Sequence, residues 1–122
     1  MDNEISLSNA DYRLMDIVWD VQPISSPELC RLAEAKLGWK RTTTYTVIKR
    51  LCKKGYMQNK DTIVNALIGR DQVRRAEGRQ LLDRSFDGSL PKFIAAFLDS
   101  GMVSEEETRE IKKLLDEYQR RL

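Results

Sequence analysis

The stretch Trp39–Gly55, WKRTTTYTVIKRLCKKG, decides how this chain folds. Thr44, Val47, Ile48 and Leu51 recur at the i, i+3, i+4, i+7 spacing of one helix face. The other face carries Arg41, Thr42, Thr43, Tyr45 and Thr46, followed by Lys49, Arg50 and Lys53. Short hydroxyls near the start and cations further along suit a helix lying in a DNA groove. Hydroxyls can bond base edges or phosphates, and cations neutralise phosphates. Thr43, Tyr45 and Thr46 are the expected base readers, with Arg41, Lys49 and Arg50 on phosphates. Arg50 has an alternative role as structural partner to an acid on the first helix. An amphipathic helix with a merely solvated basic face would show the same pattern. Lys53 and Lys54 in the last turn, with Gly55 beyond, mark the helix end.

The preceding residues supply the partner helix. Ser26-Pro27-Glu28 reads as a start, with Ser26 as N-cap and Pro27 at the first helical position. Leu29, Cys30, Leu32, Ala33 and Leu37 then point inward, and Gly38 ends the helix. Two helices joined by a glycine-containing turn, the second basic, are the ingredients of a helix-turn-helix. Val21-Gln22-Pro23-Ile24 reads as a connector. Before it, Ser8 and Asp11 form a short capping box, and Leu7 with Tyr12 a staple, for a helix running to about Asp20. Trp19 and Trp39 read as structural, Trp39 packing at the turn against both neighbouring helices.

Beyond Gly55 the period changes. Residues 56–60 and 62–68 read as two short strands around Asn59-Lys60-Asp61, the wing of a winged helix, with Lys60 its only cation. Asp71 to Phe86 is again helical. Gly78 inside it costs about 1 kcal/mol against alanine and marks a place to bend or break. Leu90-Pro91 opens a short helix that stops at Gly101. Ser104-Glu105-Glu106-Glu107 is a capping box for a last helix with Ile111, Leu114, Leu115, Tyr118 and Leu122 on one stripe. The fold class is therefore mainly α with a small β-hairpin. A winged helix-turn-helix spans 1–69 and a helical dimerisation domain spans 70–122. So small a C-terminal unit rarely hides its own apolar surface. Phe93, Ile94, Phe97 and Leu98 on the short helix are expected at a two-fold interface, with Ile111, Leu114, Leu115 and Tyr118 on the last.

Composition narrows the function. Hydrophobic residues make up 41% and charged residues 33% of the chain, as in a globular, helix-rich protein. No apolar run approaches the roughly 20 residues that span a bilayer, so membrane insertion is not expected. The opening MDNEISLSNAD is acidic and polar, unlike a signal or transit peptide. Cys30 and Cys52 have neither metal-ligand nor disulfide-framework spacing and read as buried thiols, so no metal or other cofactor is expected, and the cytoplasm is the expected home. Net charge is only +2 but unevenly spread. From Lys36 to Lys60 there are eight cations and no acid, a local footprint for a polyanion. With no histidine, glycine-rich phosphate loop or nucleophile motif, an enzyme is not expected. A winged helix that binds proteins as a scaffold, without specific DNA binding, is the alternative.

Taken together, Trp19, Gly38-Trp39, the threonine run Thr42–Thr46, Arg50-Leu51-Cys52-Lys53-Lys54-Gly55-Tyr56, Ser89-Leu90 with Phe97, and Ser104–Glu107 resemble the penicillinase-repressor family, BlaI/MecI/CopY. The resemblance covers nearly the whole chain. It implies a homodimeric winged-helix repressor on a palindromic double-stranded DNA operator. It also implies release when a membrane-bound sensor protease answers β-lactams or a related envelope signal and the repressor is cleaved in its dimerisation region. The chain departs from the family in three places. Its wing segment, residues 61–67, is shorter and less basic and aromatic. No cysteine follows Cys52, which argues against copper sensing. Where cleaved members carry Asn-Phe, this chain has Ala96-Phe97, the candidate cleavage site.

Overall fold

Helix α1 (Asn9–Val21) begins where Ser8 caps it: the Asp11 amide donates to Ser8 Oγ, and the Asp11 carboxylate accepts from the Ser8 amide. The computed structural model describes residues 4–122. After α1 come β1 (Ile24–Ser25), α2 (Ser26–Leu37), α3 (Arg41–Lys54), β2 (Met57–Lys60), β3 (Ile63–Ala66), α4 (Arg70–Ser85), α5 (Leu90–Ser100) and α6 (Glu105–Arg121). The fold is mainly α with a small antiparallel sheet of order β1-β3-β2. Two compact units, Met1–Glu77 and Gly78–Leu122, divide within α4 at Gly78. The helix itself continues through that glycine.

The first unit closes over one apolar core. Leu14, Met15, Ile17 and Val18 of α1 meet Leu29 and Ala33 of α2 and Val47, Ile48 and Leu51 of α3, with Ile24, Met57 and Val64 from the sheet. The expected inner face of α3, including Thr44, is buried. Trp19 and Trp39 pack partly buried against this core, as expected of structural residues. The Trp19 indole N–H donates to the Ile68 carbonyl at 2.9 Å, and the ring meets Tyr12 edge-on. Arg70 then pins the start of α4 to α1. Its guanidinium lies over the Trp19 ring and donates to Asp16 and Asp20 at 2.8 and 3.0 Å. Between α2 and α3, Gly38 takes the left-handed conformation (φ 71°) that lets the chain reverse within a few residues.

Three local readings are corrected. The N-cap of α2 is Ser25, whose hydroxyl accepts from the Glu28 amide, so Ser26 is helical and Pro27 follows it. Ile24 is not connector but strand, paired with Val64 beside the hairpin. So short a strand carries no period of its own. The hairpin turn is Asp61-Thr62, one step later than expected, because the register pairs Lys60 with Ile63. Both turn residues have positive φ, 53° and 64°, as a two-residue hairpin of matching twist demands.

The second unit stacks Phe86, Phe93 and Phe97 edge to face, with centroids 5.1 and 5.0 Å apart. Ser89 caps α5, and the expected capping box of Ser104 and Glu107 opens α6.

Thr62 is β-branched and held at positive φ, a conformation that costs about 1–2 kcal/mol for such a residue. Replacing the turn by Asn-Gly (Asp61→Asn with Thr62→Gly) is therefore expected to stabilise the protein by about 1 kcal/mol. Urea unfolding checks this; an unchanged or lowered midpoint would contradict the turn assignment.

Candidate nucleic-acid interface

Helix α3 exposes one continuous polar face. Thr42, Thr43, Thr46, Lys49 and Lys53 are exposed, as is Arg41, whose guanidinium lies 5.7 Å from the Tyr45 ring centre. Among the described residues, Lys49 and Lys53 form no ion pair. The Thr46 hydroxyl donates to the Thr42 carbonyl at 2.9 Å, which leaves its lone pairs outward as acceptors. Helix α3 has no acid in its first turn, and its cap residue, Lys40, makes no side-chain cap bond. The positive end of the helix dipole is left uncompensated by any local carboxylate. Thr42, Thr43, Thr46, Val47 and Arg50 line an open hollow of about 330 Å³ with Ala10 at the start of α1. Lys60 is exposed at the end of β2, next to the hairpin turn.

Two expected members of this face are placed differently. Tyr45 is half-buried against the core, with its hydroxyl beside the Cys30 thiol on α2, so its ring supports α3 rather than standing clear of it. Burial pushes both cysteine thiols up, and both are free. Arg50, expected to hold a phosphate, is already engaged. Its Nε and Nη2 donate to Asp11 Oδ1 at 2.9 and 2.7 Å. Lys54 donates to the other oxygen, Oδ2, at 2.8 Å and also to the Ser6 carbonyl at 3.2 Å. The Ser6 amide donates to the Tyr56 hydroxyl at 3.0 Å.

Asp11 is the site residue that sequence reading undervalued. Its side chain is fully buried, while Arg50 and Lys54 keep 41% and 33% of theirs exposed. The cations thus reach in from the surface to a buried carboxylate that otherwise accepts only the Ser8 amide among the described residues. Burial alone pushes the Asp11 carboxyl up. The hydrogen bonds from Lys54 and Arg50, with the Ser8 amide, outweigh it and hold the group below its ordinary 3.8. Only the cap role shows in local sequence, because residues 39 and 43 positions away leave no periodic signal.

The sequence matches the penicillinase repressor family over residues 7–117. The chain belongs to this family. It is 24% identical over 119 residues to the penicillinase repressor of Bacillus licheniformis, with 94% of this chain and 93% of that protein covered. It is 22% identical over 121 residues to the methicillin resistance regulatory protein MecI of Staphylococcus aureus, covering 95% and 98%. An uncharacterised 16.5 kDa protein of Latilactobacillus sakei is 22% identical over 118 residues, covering 93% of this chain and 81% of its own. The family match spans both units. Among the described residues, no helix is long and apolar enough to cross a membrane.

The lowered Asp11 value fixes the sign of a pH effect. Its contribution to stability is complete above the ordinary carboxylate value and is lost as pH falls through the lowered folded value. Asp11→Asn is expected to destabilise the protein by about 2 kcal/mol at neutral pH. It should also flatten the decline in stability below about pH 4. Unfolding midpoints measured from neutral pH into acid check both, and an unaltered acid limb would contradict the assignment.

Proposed function

We propose that this chain is a homodimeric transcriptional repressor that binds a palindromic operator through α3. Membership of the penicillinase repressor family supports repression. The observation that carries DNA binding is the exposed face of α3, with hydroxyls at Thr42, Thr43 and Thr46 and cations at Lys49 and Lys53 that are unpaired among the described residues. On this reading Thr43 and Thr46 reach base edges, Arg41, Lys49 and Lys53 hold phosphates, and Lys60 touches the backbone from the hairpin. Tyr45 and Arg50 hold the helix in place. Thr46, with its hydroxyl proton already committed, presents an acceptor to base amino groups in the major groove.

Dimerisation is assigned to the second unit. In the single chain Leu98, Leu114, Leu115 and Tyr118 are 50–65% exposed. Ile94, Leu98, Ile111 and Leu115 frame an apolar hollow of about 220 Å³ between α5 and α6. Phe93 and Phe97 are half-buried. Linking two heads makes the second DNA contact intramolecular, with a gain of roughly 10²- to 10⁴-fold. Release by a sensor protease, in response to a β-lactam or related envelope signal, completes the cycle. Ala96 and Phe97 lie inside α5, so cutting between them requires that helix to open locally first.

Leu115→Asp in the full chain is expected to give a monomer by sedimentation, with binding to selected palindromic duplexes weakened by about 10²-fold or more. Lys49→Ala is expected to lower the salt dependence of duplex binding by about 1 in log–log slope. Thr46→Ala should weaken selected duplexes more than random ones. A parent protein that shifts no duplex at any salt concentration would instead favour the protein-binding scaffold.

A further inference from the structure

We infer that Asp11 is a specificity-determining residue: an internal stand-in for a phosphate that withholds Arg50 and Lys54 from DNA. The inference rests on the reading of α3 as the DNA-binding helix. Arg50 follows Lys49 directly on α3, and Lys54 follows Lys53, so each adjacent pair holds one engaged cation and one with no ion pair among the described residues. The engaged members converge on a single carboxylate from the neighbouring helix. Each oxygen is held by a different cation: Oδ1 by the Arg50 fork and Oδ2 by Lys54. These are the donors and distances with which Arg and Lys grip two oxygens of a phosphate.

The carboxylate is well suited to hold them. It is fully buried, fixed by the Ser8 amide within the α1 capping box, and stays ionised because its value is held below 3.8. A backbone phosphate approaching Arg50 must compete with a charge already in place.

The consequence concerns random DNA above all. Non-specific binding comes almost entirely from phosphate neutralisation, and each neutralised phosphate adds about 0.9 to the salt slope. Engaging two of the α3 cations internally weakens that sequence-independent component. Contacts of Thr43 and Thr46 with base edges would not change with the charge removed. The same bonds tie α3 to the first turn of α1 and to Ser6. Asp11 therefore lowers the background and holds the reading helix at once.

Asp11→Asn, nearly isosteric and still able to accept from Ser8, separates these roles. The readout is binding of random-sequence duplex DNA across a salt series, beside binding of duplexes enriched from a random pool by the parent. Expected for the folded variant are a random-DNA slope steeper by about 1 to 2 and a several-fold lower ratio of selected to random affinity. A residue that merely stabilised the fold would weaken both DNAs and steepen neither. Arg50→Ala keeps the question open to test if Asp11→Asn does not fold, because Lys54 still partners Asp11. Arg50→Ala should leave the random-DNA slope at the parent value, while Lys49→Ala lowers it by about 1. An Arg50→Ala slope lowered as far as that of Lys49→Ala would overturn the inference, as would a folded Asp11→Asn variant with the parent slope. A parent that binds no duplex at all would remove the proposed function, and this inference with it.

Discussion

A buried carboxylate must be compensated where it stands, and the first unit of this protein is arranged around that constraint at Asp11. An unpaired ionised carboxylate in an apolar interior is too costly to persist. Here it is met by two cations of α3 and by the α1 cap. The pairing fixes how the end of α3 lies against the start of α1, beside the side chains that close the core. Apolar burial supplies the larger share of stability but is not directional. The ion pairs, with their defined forks and distances, fix the orientation of α3.

A second cluster, of one cation with two exposed acids, lies at the other end of α1. Arg70 meets Asp16 and Asp20 and covers the Trp19 ring, whose N–H is bonded to Ile68. Helix α1 is thus pinned near its start to α3 and near its end to the first residues of α4. The first turn of α4 is held as part of the first unit, and the two units divide only at Gly78. The second unit shows a different economy of surface: leucines on α5 and α6 stand half exposed or more, which a single copy of so small a helical unit leaves uncovered.

Much of this was legible in the sequence, and the exceptions share a physical cause. The inner face of α3, the Ser8–Asp11 and Ser104–Glu107 boxes and the Gly38 turn are local patterns, and each appears where its spacing puts it. The three-residue reach of a capping box or the 3.6 period of a helix is set within the segment itself. What escaped was set from afar. Ile24 is a strand only because Val64 lies alongside. The hairpin turn falls at Asp61-Thr62 because pairing, not turn propensity, fixes the register. Tyr45 turned inward toward Cys30, and for Arg50 the sequence left two roles open, phosphate holder or partner to an acid on the first helix, between which only the bond to Asp11 distinguishes. Charge along a helix says how many cations exist, not which are already engaged.

The central claim is that the free face of α3, held by Asp11, is the surface that meets DNA. Chemical-shift mapping of the full chain during titration with random-sequence duplex tests it most directly. The expected result is a set of perturbed amides centred on Thr42, Thr43, Thr46, Lys49 and Lys53, with a smaller response at Lys60. Perturbations absent from α3, or confined to residues 78–122, would contradict it.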